Sequence, residues 1–238
     1  MQIVGLRNDL SPDLIHLTRR RIRGGNPLNA MDVLKRILTS GHLKPAFGQR
    51  FRGHPPRWKP TIHGELPAVC FTEQPLHELP ATIQALPNNY EGYGLIFDKR
   101  YVYHWGGRPV MYGDDSLWNV IPKSHEYLWS LFDPNRTWNG RTWPSDWTHE
   151  REWRFKLPED YHPREMLPGF PLHDFYWGQR PDCPSFRVLV REKRERIDMT
   201  RFLDRVRQRP PAVHETKLIQ DRYVHGIEMA EVISLDEL

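Results

Sequence analysis

Cysteine is scarce. Cys70 and Cys183 are the two cysteines among 238 residues, too few for a disulfide framework or a thiolate zinc centre, and the natural setting for so few thiols is a reducing cytoplasm. Long apolar runs are missing as well: none approaches the ~20 residues that cross a bilayer. The start, Met1 to Arg7, lacks the basic region and apolar stretch of a secretory signal. There is no internal repeat, no low-complexity tract and no clear linker, so the expectation is one α+β domain spanning residues 1–238. No Asp-rich ligand cluster stands out, and no metal centre is expected. Charge of one sign is only mildly in excess, with 34 Lys and Arg against 30 Asp and Glu. A net charge of +4 suits an anionic partner, either a nucleic acid or a phosphate-bearing small molecule.

What is abundant is aromatic surface, including nine Trp, which need burial or a stacking partner. Charged residues at 27% and hydrophobic ones at 38% are those of a folded chain with a sizeable core. Asp13 to Thr18 reads as a strand with Ile15 and Leu17 turned to the core, leaving His16 and Thr18 on the face that is wet or lines a cleft. After the basic run Arg19–Arg20–Arg21–Ile22–Arg23, a helix is expected from Ala30 to Ser40. Asn29 is its N-cap, Met31, Leu34, Ile37 and Leu38 form its apolar stripe, and Gly41 stops it. Residues 45–67, with Arg50, Arg52, Arg57, Trp58 and Lys59, read as a long loop, a length usual only where a loop covers a site. Strands are expected at 68–72, 93–97, 109–112 and 186–190. Helices are expected at 76–86, 123–132 and 199–207, the last capped by Asp198. Residues 158–185 read as a Pro-rich connection and 224–235 as a final strand or helix.

The most informative stretch is His149–Glu150–Arg151–Glu152–Trp153–Arg154–Phe155. Its aromatic content and alternation read as a strand running from about 150 to 157. Period-two geometry then puts Glu150, Glu152 and Arg154 on one face and Arg151, Trp153 and Phe155 on the other. Two carboxylates so spaced are able to divide labour, one holding a cationic or hydroxyl-bearing substrate while the other acts as acid or base. A plain surface charge ladder has the same pattern.

Four segments taken in order resemble a known family: Ile15–His16–Leu17–Thr18; the helix run Leu34-x-x-Ile37–Leu38-x-x-Gly41-x-Leu43; Cys70–Phe71–Thr72–Glu73-x-Pro75–Leu76; and Glu150-x-Glu152–Trp153–Arg154. Their order and spacing resemble the ADP-ribosyltransferase superfamily, and within it the bacterial DarT-like toxins and an AbiGi-like phage-resistance group. The resemblance covers roughly residues 14 to 157. It implies a split, mixed β-sheet with flanking helices that clasps NAD, cleaves the nicotinamide–ribose bond and transfers ADP-ribose to an acceptor. By position, Glu152 resembles the catalytic glutamate and Glu150 the acceptor-side acid. His16 resembles the residue that contacts the nicotinamide ribose, with Thr18 beside it, and Thr72 resembles the hydroxyl that buttresses the site. Arg19, Arg20, Arg50 and Arg52 are candidates for the pyrophosphate. Phe71–Thr72–Glu73 departs from the Ser-Thr-Ser of arginine-modifying toxins, and His16 stands where those toxins carry Arg.

The chemistry fits these residue types. Loss of nicotinamide passes through an oxocarbenium-like state, and a fixed carboxylate on the ribose 2′-hydroxyl stabilises that charge more than it stabilises bound NAD. The Trp and Arg residues between Trp129 and Trp153 have the makings of a stacking platform for unpaired bases, which would make the acceptor DNA or RNA. They serve equally as loop anchors. The resemblance also implies a growth-arresting toxin in phage defence, with a cognate antitoxin as partner. Two other readings stand beside it. One is a metal-dependent nuclease built on His16, His149, Glu150 and Glu152; the other is a non-catalytic, antitoxin-like nucleic-acid or partner-binding protein.

Overall fold

The computed structural model describes residues 11–23, 26–52, 57–85, 90–138, 141–142, 145–158, 169–172, 186–210 and 217–238. Seven strands make a central sheet: β1 (Asp13–Leu17), β2 (Val69–Thr72), β3 (Gly94–Asp98), β4 (Arg108–Pro109), β5 (Glu152–Phe155), β6 (Phe186–Val190) and β7 (Glu231–Ser234). Their order across the sheet is β7-β6-β3-β1-β2-β5-β4. Neighbours run antiparallel except β6 and β7, which are parallel. The helices are α1 (Ala30–Ser40), α2 (Leu79–Ala85), α3 (Lys99–His104), α4 (Asp115–Trp118), α5 (Glu195–Gln208) and α6 (Lys217–Met229). The class is therefore α+β, a mostly antiparallel sheet with flanking helices. Among the described residues, no helix is long and apolar enough to cross a membrane.

The local chemistry explains α1 fully. Asn29 Oδ1 accepts the Asp32 N–H at 2.8 Å, satisfying one donor that the first turn leaves open. Gly41 closes the helix at φ 71 and donates its N–H to the Ile37 carbonyl, a left-handed stop that costs glycine nothing. Leu34 and Leu38 are fully buried, with Met31 and Ile37 packed against the same core.

Each face of the sheet is covered by different helices. On one, Leu14, Phe71, Phe97, Phe155, Phe186 and Val188 pack with α1, with Tyr101 of α3, Met199 and Leu203 of α5 and Tyr223 of α6. On the other, Ile15, Ile96 and Leu189 pack with Leu79 of α2, joined by Leu17 and Ile83. The expected pairing of Ile15 and Leu17 therefore holds, but Leu14 is equally buried, because a central strand covered on both sides is apolar on both. Gly94 is what lets β3 lie this close to β1, since a Cβ there would sit 2.5 Å from the His16 carbonyl oxygen.

Several elements differ from expectation. Residues 45–67 contain a hairpin, Gln49–Arg52 against Arg57–Pro60; the alternation Arg50–Phe51–Arg52 and Arg57–Trp58–Lys59 carries the period of a strand, hidden by its Gly and Pro flanks. The 123–132 segment is a 3₁₀ turn, Lys123–Leu128, followed by a short strand, Trp129–Leu131, parallel to Met111–Gly113. Burial of Trp129 and Ser130 outweighs helix propensity there. α5 starts at Glu195 with Arg194 at the N-cap, so Asp198 sits in its first turn, where its charge favours the helix dipole. The final segment is both things considered: α6 ends at Met229 and β7 follows. β5 is shorter than expected, beginning only at Glu152. Trp143, Cys183 and most of 158–185 lie outside the described residues.

Candidate functional site

The second face of the sheet changes character at β2 and β5. There the aliphatic patch of Ile15 gives way to Cys70, Thr72, Glu152 and Arg154. The register sets Ile15 opposite Thr72 and Thr72 opposite Glu152, so three strands present these side chains at one level on one face. β1 pairs with β3 along all five of its residues, whereas its register with β2 is the single pair Ile15–Thr72. Beyond that pair a cavity of about 1340 Å³ opens, lined by both strands and by His16, Thr18, Thr72, Glu150, Glu152 and Arg154.

His16 spans this seam. Its Nδ1 lies 2.8 Å from the Cys70 carbonyl oxygen, and its ring meets Phe71 edge-on at 6.0 Å. Burial holds its pKa down at about 4, the Cys70 carbonyl opposes the fall, and the nearby Arg21 and Arg19 charges add to it. The imidazole is therefore neutral at pH 7. A carbonyl oxygen only accepts, so Nδ1 carries the proton and Nε2 is left as an acceptor on the cavity wall.

Glu152 is held from three sides. Arg154 Nη2 donates to its Oε2 at 2.7 Å; the Glu152 backbone N–H donates to the Tyr112 hydroxyl at 2.8 Å; and the Val110 N–H donates to its carbonyl at 2.8 Å. Its side chain is 11% exposed and that of Arg154 3%. Arg154 Nη1 donates further to the carbonyls of Tyr127 at 2.6 Å and Trp129 at 2.9 Å. The Cys70 thiol is next to this pair; burial first, then the Glu152 carboxylate, pushes its pKa well up, which keeps it a neutral, unreactive thiol.

Glu150 reaches the cavity by another route. It ends a 3₁₀ turn, Thr148–Glu150, and Arg151 follows at φ 41. The left-handed residue breaks the run between the two acids, so the expected single strand face holds for Glu152 and Arg154 but excludes Glu150. Thr72 secures the turn: its hydroxyl donates to the Glu150 carbonyl at 2.6 Å and accepts the Gln74 N–H at 3.3 Å. The Glu73 N–H donates to the Arg151 carbonyl at 3.0 Å. Glu73 itself precedes the 3₁₀ turn at Leu76 and α2, rather than opening a helix. It pairs with Lys99 and accepts the Trp153 indole N–H at 2.7 Å.

The remaining candidates divide. Thr18 is 2% exposed, and its hydroxyl is directed at the carbonyls of Ala30 and Tyr93 at 2.9 and 3.1 Å, so it braces β1 rather than offering a free hydroxyl. Arg19 stands at the rim, donating to the Tyr90 hydroxyl at 2.6 Å with its guanidinium over that ring. Arg20 is mostly exposed, 3.5 Å from Glu91. Arg50 and Arg52 belong to the hairpin strand, and their side chains lie outside the described residues. Among the described residues no group of three or more His, Cys, Asp or Glu is placed to hold a metal ion.

Sequence reading marked Arg21 within its basic run and Arg136, Trp129 and Trp147 within its Trp/Arg stretch, and overlooked Lys44 and His63 as lining groups. Arg21, Lys44 and Arg136 add positive charge, and His63, Trp129 and Trp147 form aromatic wall. The His63 and Trp129 rings meet at 4.7 Å, and Trp118 packs on Trp129 at 5.1 Å. Arg154 was visible as the third member of the period-two face, but nothing in a sequence marks an arginine as buried. The cavity is thus acid-bearing at its floor, basic at its rim and aromatic on one side. No family model, curated protein or solved structure matches the chain.

Proposed function

We propose that the chain is an NAD-dependent ADP-ribosyltransferase that transfers ADP-ribose to a nucleic acid, DNA or RNA, as a growth-arresting toxin in phage defence. The observation that carries the reading is the convergence of His16, Thr72, Glu150 and Glu152, from separate elements, on one cavity with a basic rim. Those are the residues that the resemblance to the ADP-ribosyltransferase superfamily singles out. The seam between β1 and β2 is in keeping with the split sheet that it implies. The cavity's volume, about 1340 Å³, exceeds the roughly 300–1,000 Å³ of a site for one small ligand, leaving room for a dinucleotide and part of an acceptor together.

In this reading the rim arginines hold the pyrophosphate and the neutral His16 accepts a hydrogen bond from the nicotinamide ribose. Glu152 takes the ribose 2′-hydroxyl and stabilises positive charge as the C1′–nicotinamide bond breaks. Nicotinamide leaves with the bonding pair. The acceptor attacks C1′ and loses its proton to Glu150. The acceptor assignment rests on Trp147 and His63 at the cavity wall, half-buried rings suited to an unstacked base. The cognate antitoxin and the role in defence rest on the resemblance alone.

The test is incubation with radiolabelled NAD and mixed DNA, RNA and protein, with mass spectrometry for added ADP-ribose. Wild-type protein releases nicotinamide and labels nucleic acid; Glu152→Gln does neither. Equal labelling by both proteins, or none by wild type, would refute the proposal. Expression should slow growth, and only with Glu152 intact.

A further inference from the structure

Glu152 is a cavity acid whose carboxylate is bound by a buried guanidinium. Arg154 gives two of its donors to backbone, the carbonyls of Tyr127 and Trp129, and one to Glu152 Oε2. Those two carbonyls belong to the 3₁₀ turn and to the strand behind it, which carries Trp129 of the cavity wall. A single fork therefore ties the wall to β5 and holds the acid at a fixed height between them. Arg154 Nε has no partner and is shielded from solvent, so the guanidinium is not bonded to capacity; its orientation follows the wall and the acid. From the other side, the Tyr112 hydroxyl takes the Glu152 backbone N–H, and burial pushes that phenol up to about 12, so it stays a neutral hydroxyl at any working pH.

We infer that Arg154 and Tyr112 are positioning residues for Glu152, one fixing its carboxylate and the other its backbone, so that the remaining carboxylate oxygen meets the substrate hydroxyl without reorganising. The inference rests on the proposed transferase reading. A fork-shaped donor set matters here because a lysine offers one point charge where Arg154 spans three acceptors. The protein accepts the cost of a buried ion pair, which by itself is poor evidence of stabilisation, at the place where preorganisation counts most. Neither residue is assigned contact with the dinucleotide, so their loss should affect turnover and not NAD binding.

The experiment measures kcat and KM for nicotinamide release by wild type, Arg154→Lys and Tyr112→Phe, with urea unfolding of each. Arg154→Lys keeps the charge, and Tyr112→Phe removes one oxygen and serves if the lysine variant does not fold. The expected result is a kcat lowered about tenfold or more in Arg154→Lys and severalfold in Tyr112→Phe, with KM for NAD within about twofold of wild type, since a displacement of about 1 Å costs on the order of a hundredfold. Folded variants with wild-type kcat, or with raised KM and unchanged kcat, would overturn the inference while leaving the transferase reading intact. Wild-type protein that releases no nicotinamide would remove that reading and this inference with it.

Discussion

His16 sits where a positive charge is disfavoured. Its imidazole is shut between β1 and β2, with Arg19 and Arg21 close by, and its pKa falls to about 4 from an ordinary 6.5. In the unfolded chain it takes a proton near 6.5; in the folded chain it resists until about 4. Between those values the unfolded state binds more protons, so folding stability falls as the pH drops through that window and levels off below it. The prediction is a urea midpoint that declines from pH 6.5 to pH 4 more steeply in wild type than in His16→Asn. Asparagine keeps an N–H for the Cys70 carbonyl and has nothing to protonate. Parallel curves for the two proteins would show that His16 is not the titrating group.

Two other residues set the floor of the site at the same scale. Replacing Glu152 by glutamine keeps an oxygen for Arg154 Nη2 but strips the countercharge from a guanidinium 3% exposed. The variant should therefore be less stable, by about 1–3 kcal/mol, as well as inactive, in line with the cost of an uncompensated buried charge. Chemical denaturation reads that loss directly, and a wild-type midpoint would contradict the burial of the pair.

Among the elements, the turn at Thr148–Glu150 and the strand β5 matter most, and Thr72 joins them. Thr72→Val keeps the shape and loses the 2.6 Å bond to the Glu150 carbonyl. The expected cost is about 1 kcal/mol, and on the proposed reading acceptor transfer falls more than nicotinamide release, because the turn that carries Glu150 loses one of its ties. A quantitative comparison of ADP-ribosylated product with free ADP-ribose separates the two.

What the sequence made legible follows the same division. α1, with Asn29 before it and Gly41 after it, carries its whole account locally, as do β1 and the apolar β6. The two-faced β5 was legible from Glu152 onward, since Trp153 and Phe155 fill the core side while Glu152 and Arg154 do not. The break at Arg151 was not, because an arginine at positive φ has no sequence signal and is imposed by the bonds from Thr72 and Glu73, residues nearly eighty positions away. The hairpin at Gln49–Pro60 was hidden by its proline and glycine flanks. The site candidates were found where a residue type stood out on a predicted strand. Arg154 and Tyr112 escaped because their importance lies in what they touch across long sequence separations.

For the whole molecule, a net charge of +4 matters through its arrangement. Arg19, Arg20, Arg21, Lys44 and Arg136 all border the cavity that holds the acids, so the rim draws anions toward a floor that repels them. Attraction of this kind is screened by salt. KM for NAD should rise about threefold or more between roughly 50 mM and roughly 500 mM salt, with kcat little changed. Arg21→Gln should weaken NAD severalfold at the lower salt and flatten the dependence. Steady-state kinetics across a salt series checks both, and a salt-independent KM would mean that the rim does not handle the pyrophosphate.

Because Arg151 separates the two acids, they are independently adjustable parts. Glu152 is fixed by the ladder of the sheet, while Glu150 belongs to the 3₁₀ turn that precedes it. On the proposed reading, a residue added to or removed from that turn would shift the acceptor-side carboxylate and leave the one assigned to the breaking bond in place. If that reading holds, the target is adjustable at one acid without a change in the chemistry performed at the other.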